Sequence, residues 1–270
     1  MARMFIFGLG YTGGRLATRL RSLGWDVAGT GGGSVLRFDD SAAVSVALGA
    51  ATHVVCTIPP GSGLLGSYGA LLVDKWLGYL SSTGVYGDAG GAWVDEHAPL
   101  NGRRGGRIDE DLAWLVRGAR VFRLPGIYGP GRSALDRVAS GGAHRVDVPD
   151  QVFSRVHVDD IVAGVIAGFD ASPGVYNLAD DCPCDQNAVI EEAARLLGVA
   201  PPPVVPLDTL SPQARAFYAE NRRVANGKAK RVLGWTPAYP DFVSGLRALS
   251  AMSSPAIAST PPAAASNVQR

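Results

Sequence analysis

The sequence predicts a doubly wound α/β fold, a parallel sheet covered by helices on both faces. Strand-length runs that are apolar throughout alternate with amphipathic, helix-length segments over the first 130 residues; strands of that kind are buried on both faces. The first strand–helix junction is a glycine turn, Gly8-Leu9-Gly10-Tyr11-Thr12-Gly13. Past residue 130 the pattern becomes mixed, as late sheet elements interleaved with a smaller lobe would make it.

In chain order, ARMFIFGLG is an apolar strand ending in glycines. TGGRLATRLRSLG spaces Leu16, Leu20 and Leu23 by four and three and stops at Gly24, which predicts an amphipathic helix. WDVAGT reads as a second strand, VLRFDD as a third and SAAVSVALG as a short helix, and THVVCTIPP is a fourth strand closed by two prolines. GSGLLGSYGALLVDK is too short for a full covering helix and two loops, so a stunted or irregular helix is expected. WLGYLSS is the fifth strand, RIDEDLAWLVRG a helix and ARVFRLPG the sixth strand. DDIVAGVIAGF then reads as a helix with Asp159 or Asp160 as its N-cap, and GVYNLAD as a strand. DQNAVIEEAARLLG is a helix capped by Asp185 and stopped by Gly198. A PPPVVP linker precedes a charged helix around SPQARAFYAENRRVA.

Hydrophobic residues make up 47% of the 270-residue chain and charged residues 18%, enough for a sizeable core. A net charge of +1 with scattered basic residues leaves no footprint for nucleic acid. No apolar run approaches the ~20 residues of a membrane span. The apolar start MARMFIFGLG breaks into glycines without a small-residue cleavage site, which argues against a signal peptide. Cys56, Cys182 and Cys184 are too few for a disulfide framework, and Cys182-Pro-Cys184 has no second pair or nearby histidine for a metal. A reducing, cytoplasmic setting and a small-molecule partner are expected, without nucleic acid or membrane; a homodimer stays open.

The glycine turn has a specific physical reading. Gly8 permits the tight turn, Gly10 lets backbone approach a pyrophosphate, and Gly13 allows close helix–strand packing. Tyr11 and Thr12 open the helix whose N–H groups and positive end would face the phosphates. NAD(P) is therefore the expected cofactor. An acid about 20 residues on would hold the ribose of NAD. The second strand instead ends Gly29-Thr30-Gly31-Gly32-Gly33-Ser34, with Asp26 at its other end. Thr30 is the strand-end residue expected at the cofactor, and the missing acid favours NADP over NAD. No basic residue lies in that loop either, Arg37 being the nearest.

Six motifs recur along residues 5–247: GLGYTGG, SSTGVYGD at 81–88, VFRLPGIYGPGR at 121–132, FSRVHVDDI at 153–161, VYNLADD at 175–181 and LGWTP at 233–237. With them the chain resembles the extended short-chain dehydrogenase/reductases, the NAD-dependent epimerase/dehydratase group, and more closely an atypical branch of it. The resemblance implies a Rossmann core over 1–130 and a mixed region over 131–250 that adds late core elements and a substrate lobe. Residues 251–270, Ala/Pro/Ser-rich and aperiodic, are expected to be a disordered tail. It also implies an active site between core and lobe. Ser82 and Thr83 then stand where such proteins hydrogen-bond the substrate oxygen, Ser81 lines the cofactor, and Asp39 lies where relatives contact adenine. Tyr86 is expected to be cleft wall or packing.

The family's acid/base tyrosine should follow on the next helix, four residues before a lysine that lowers its pKa. That pair is missing. No lysine lies between Lys75 and Lys228, and no tyrosine has a lysine four residues on. Arg107 stands at the tyrosine position and Asp111 at the lysine position, either as a helix ion pair or with Arg107 clamping an anionic substrate or cofactor phosphate. Asp95 and Glu96 read as a solvated loop, with proton transfer in the cleft as the alternative. Arg132 is a candidate contact for a phosphorylated or carboxylated substrate, and Tyr218 a further cleft residue. The expected function is an epimerase/dehydratase-like oxidoreductase acting on a nucleotide-sugar or related polar small molecule. The alternative is a non-catalytic NAD(P)-binding sensor or regulatory protein.

Overall fold

The computed structural model describes residues 2–34, 36–103 and 105–253. The core opens with β1 (Arg3–Phe7), α1 (Tyr11–Ser22), β2 (Asp26–Thr30), α2 (Ser41–Gly49) and β3 (His53–Cys56). Then come α3 (Leu64–Tyr68), β4 (Trp76–Ser82), β5 (Trp93–Val94), α4 (Gly105–Val116), β6 (Arg120–Leu124) and β7 (Gly126–Tyr128). The mixed region carries α5 (Ala134–Ala139), β8 (Arg145–Val146), β9 (Arg155–His157), α6 (Val158–Ala167), β10 (Gly174–Asn177) and α7 (Gln186–Leu197). Last are β11 (Val204–Val205), α8 (Pro212–Tyr218), β12 (Arg223–Val224), α9 (Gly227–Leu233) and α10 (Phe242–Ser253).

Six strands form one sheet in the order β10-β6-β4-β3-β1-β2, every neighbouring pair parallel. The order reverses between β1 and β3, and ligand crevices of doubly wound sheets open at such a point. Alternation along β1 explains the two-sided core. Met4 and Ile6 join Leu16, Leu20, Val55, Phe122 and Ile161 beneath α1 and α6. Phe5 and Phe7 join Val44, Leu48, Val54, Leu77 and Trp114 beneath α2 and α4. Each such side chain contributes about 1.5–3 kcal/mol on burial. A separate cluster of Leu135, Val189, Ile190, Leu246 and Leu249 holds α5, α7 and α10 together as the lobe. Among the described residues no helix is long and apolar enough to cross a membrane.

The alternating first half, the one-turn α3 continued by a 3-10 turn at Gly69–Leu72, and the Asp185 and Gly198 ends of α7 match expectation. Three elements differ. VLRFDD is not a strand over 36–40. Ser34 Oγ donates to Gly29 O at 2.7 Å and accepts from Leu36 N at 3.1 Å, while Gly31, Gly32 and Gly33 all take positive φ. These local bonds turn the chain off the sheet edge, and Leu36 and Phe38 pack on the core from a loop. The N-cap of α6 is His157, whose ring accepts from Asp159 N at 3.2 Å, rather than either aspartate. Asp160 is instead buried and accepts from Ala238 N and Tyr239 N at 2.7 and 3.1 Å, clasping the segment after LGWTP against α6. The expected charged helix shrinks to α8, because Arg223 and Val224 pair with β5. Helix α10 runs to Ser253, past the expected start of the tail at 251, and residues 254–270 lie outside the described residues.

Candidate functional site

A cleft of about 1280 Å³ opens between the sheet's carboxyl ends and the lobe. At one end it is walled by Gly10, Tyr11 and Thr12. A Cβ on Gly13 would sit 2.0 Å from Gly8 O, so that glycine is required by helix–strand packing. A Cβ on Gly10 would meet no atom within 4 Å, so packing within the chain does not require a glycine there. Helix α1 begins there with no side-chain cap and no acid in its first turn, leaving its leading N–H groups for a ligand. The residues present thus fit a dinucleotide phosphate. Thr30 is buried, and its carbonyl accepts from Gly8 N and Leu9 N at 3.1 and 2.7 Å, bracing the turn from below. Asp39 does not border the cleft. It holds Arg37 at 2.8 and 3.0 Å in an exposed ion pair, and Asp40 takes the cap of α2.

Three hydroxyls end β4, and the strand's alternation gives them different surroundings. Ser81 is buried and donates to Asp111 Oδ2 at 2.6 Å. Ser82 borders the cleft, half-buried, and accepts from Gly84 N at 3.1 Å, which leaves its proton for another acceptor. Thr83 also borders the cleft but is buried, with its hydroxyl 3.5 Å from Leu124 O. Tyr86 is buried away from the cleft lining. Its Oη donates to Asn177 Oδ1 at 2.7 Å and accepts from Arg123 Nη1 at 3.1 Å. Burial raises its pKa, with Arg123 opposing, so the phenolate an acid/base would need is disfavoured.

Arg107 and Asp111 do not form the expected helix pair. Asp111 points into the core, where Arg123 donates to both of its oxygens at 2.7 and 3.1 Å. The Asp111 carboxylate of α4 is thus neutralised by a guanidinium of β6. One polar chain runs Ser81–Asp111–Arg123–Tyr86–Asn177, and Asn177 reaches Ala225 O at 3.1 Å beyond β12, tying core to lobe. Glu96 belongs to it too, accepting from Asn177 N at 2.8 Å. Neither Glu96 nor Asp95 is among the residues that line the cleft, in keeping with the loop reading rather than with proton transfer there.

Arg107 does border the cleft, beside Ser82 and Gly84. The opposite wall carries Arg132, Arg137 and His144, with Tyr218 stacked edge-on against Phe153 at 5.6 Å. Arg132 and Tyr218 were legible as candidates; Arg137 and His144 sit in no motif and carried no signal. Arg132 lies over the ring of Tyr11, 5.6 Å from its centroid, and Tyr11 Oη donates to Pro130 O at 3.2 Å, so the first turn of α1 touches the lobe. Beneath this wall Asp180 is buried, and neither of its oxygens accepts a well-formed hydrogen bond. Burial pushes its carboxyl up to about 8, against the opposing pull of Arg155. Among the described residues no group of histidine, cysteine and carboxylate side chains could hold a metal.

No family model matches the chain. It is 30% identical over 244 residues to protein YeeZ of Escherichia coli, covering 75% of this chain and 86% of that one. It is 32% identical over 148 residues to a 3-diazoavenalumate denitrifying reductase of Streptomyces, covering 50% of this chain and 47% of the reductase. A solved protein of unknown function from Silicibacter pomeroyi superposes with a TM-score of 0.83 at 37% identity, over 93% of this chain and 99% of that one. The dTDP-glucose 4,6-dehydratase of Bacillus anthracis, solved with NAD, shares the fold at a TM-score of 0.76 and 16% identity, over 93% of this chain and 96% of that one. With its six-stranded parallel sheet and these likenesses, the chain belongs to one family with protein YeeZ and shares the α/β fold of the NAD-bound dehydratase.

Proposed function

We propose that the protein is an NAD(P)-binding, epimerase/dehydratase-like oxidoreductase acting on a nucleotide-sugar or related polar small molecule. One observation carries this reading: the uncapped start of α1, with Gly10 facing open space, and the half-free hydroxyl of Ser82 border the same cleft. Gly8, Gly10, Tyr11, Thr12 and Gly13 would hold the dinucleotide, with Thr30 and Ser81 behind them. When bound, the nicotinamide would supply hydride donation or acceptance. Ser82, with Thr83 next to it, would hydrogen-bond the substrate oxygen, and the contact of Tyr11 with Pro130 would close the site toward the lobe. The missing carboxylate at the end of β2, with Asp39 engaged by Arg37, supports NADP over NAD. The reductase relative supports a redox role. The three free cysteines support a reducing compartment.

A second reading, a nucleotide-binding protein without turnover, is favoured by the Asp111–Arg123 pair, which leaves no ammonium to activate a tyrosine. Calorimetric titration with NAD and NADP, followed by nicotinamide absorbance with a panel of UDP- and dTDP-sugars, tests both. Binding with turnover of any member supports the first reading. Binding with a silent panel shifts the weight to the second, and no binding removes both.

A further inference from the structure

We propose that Arg107 is a specificity-determining residue that anchors an anionic group of the substrate, a carboxylate or phosphate, beside the Ser82 hydroxyl. The inference rests on the cleft being the substrate site.

Three observations meet at this side chain. Arg107 is half-buried in the cleft wall, yet among the described residues it has no carboxylate or carbonyl partner. A half-buried guanidinium without a protein counter-charge keeps its fork of donors open to a ligand. Its nearest expected anion, Asp111, is committed to Arg123 and Ser81. Arg107 also stands in the first turn of α4, which has no acidic residue there. A cation at the positive end of a helix dipole is unfavourable for the helix itself. Its placement is unhelpful to folding and suited to drawing an anion. Finally, its Cδ lies 3.9 Å from where a Cβ on Gly84 would be, and Gly84 N is the donor that fixes Ser82 Oγ. Any anion held by the guanidinium is thus set next to that hydroxyl.

The charges of the surrounding lining do not cancel Arg107. Asp136 accepts from Ser133 N and Oγ at 2.7 and 2.6 Å, and Glu220 is paired with Arg222 at 2.6 Å. Both acids are held by their own neighbours. A planar fork of donors suits the two oxygens of a carboxylate or phosphate better than a neutral hydroxyl.

The test observes the side chain directly. Arginine Nε–H resonances of the full chain are recorded by NMR, with Arg107 assigned by its loss in Arg107→Lys. Benzoate, methyl phosphate and UDP-glucuronic acid are the anionic probes; benzamide and UDP-glucose are the neutral controls. A separate titration with NADP alone covers the cofactor as the source of the anion. The expected result is a saturable shift of the Arg107 resonance with at least one anionic probe and none with its neutral counterpart. Affinity for that probe should fall about 10-fold or more in Arg107→Gln, while binding of NADP is unchanged. An Arg107 resonance unmoved by all three anions into the millimolar range overturns the proposal. So does a full shift on adding NADP alone, which would assign the residue to the cofactor. Failure of the broader reading appears separately, as absent calorimetric binding of NAD and NADP in the same sample.

Discussion

Arg123 holds Asp111 by two hydrogen bonds inside the core, and the carboxylate of α4 is thereby built into the scaffold. Both side chains are almost wholly buried, at 3% and 0% exposure. Removing one partner of such a pair leaves an uncompensated charge, which costs about 3–5 kcal/mol. Arg123→Met should therefore lower stability by about that amount in urea denaturation. Asp111→Lys should be worse, because it sets an ammonium against the Arg123 guanidinium. The double change Arg107→Tyr/Asp111→Lys should consequently not install a working tyrosine–lysine pair. A folded double variant of wild-type stability would contradict this account of the network.

The two later glycines of the turn should separate fold from function. Gly13→Val drives a side chain into Gly8 O and should prevent folding or cost several kcal/mol. At Gly10 an added Cβ meets no atom within 4 Å, so Gly10→Val should fold normally while losing NAD(P) binding. Calorimetry on a folded Gly10→Val protein that binds as tightly as wild type would remove the assignment of the site.

NADP should bind more tightly than NAD in a competition titration. No carboxylate at the end of β2 awaits a ribose hydroxyl, and Asp39 is engaged by Arg37. A tenfold preference for NAD would show that Asp39 leaves its partner when the nucleotide arrives.

Asp180 should make stability depend on pH. Its carboxyl is raised to about 8 in the fold, against about 3.9 unfolded, so folding takes up a proton between those values. A raised folded pKa stabilises fully below the unfolded value, and that contribution is lost as pH rises through the folded one. Melting temperature should fall from pH 5 toward pH 8, and Asp180→Asn should flatten the fall. Parallel profiles for the two proteins would exclude Asp180 as the cause.

The sheet was legible because apolar, strand-length runs alternated with helices, and burial on both faces leaves that imprint on composition. VLRFDD misled because Leu36 and Phe38 alternate as in a strand yet pack from a loop; only the ladder distinguishes the two cases, and the sequence does not display it. Nor could it show that His157 rather than Asp159 caps α6, since both have acceptors at the right spacing. The glycine turn and the β4 hydroxyls were visible because their chemistry is local. The destination of Asp111 was not, because Arg123 comes from the strand that follows the helix, twelve residues on, and nothing in helix spacing points to it.

Ser82 and Tyr86, four residues apart, should respond oppositely to loss of a hydroxyl. Ser82 Oγ is fixed by Gly84 N at the cleft wall, which leaves its proton for another acceptor. Tyr86 Oη is enclosed between Asn177 and Arg123, and burial raises its pKa. On the proposed reading Ser82→Ala would remove a hydrogen bond to the reacting oxygen, which typically costs about 10²-fold or more in turnover. It should leave stability and NAD(P) affinity close to wild type. Tyr86→Phe removes a donor to Asn177 and an acceptor for Arg123, so it should cost about 1–3 kcal/mol in urea denaturation. Turnover per folded molecule should change little, because Tyr86 lies outside the cleft lining. The comparison needs both readouts on both variants, since a destabilised enzyme loses activity by unfolding as well. If Tyr86→Phe stays as stable as wild type and abolishes turnover while Ser82→Ala leaves it intact, the tyrosine has become the proton carrier, and Arg123 would then act as the cation that activates it.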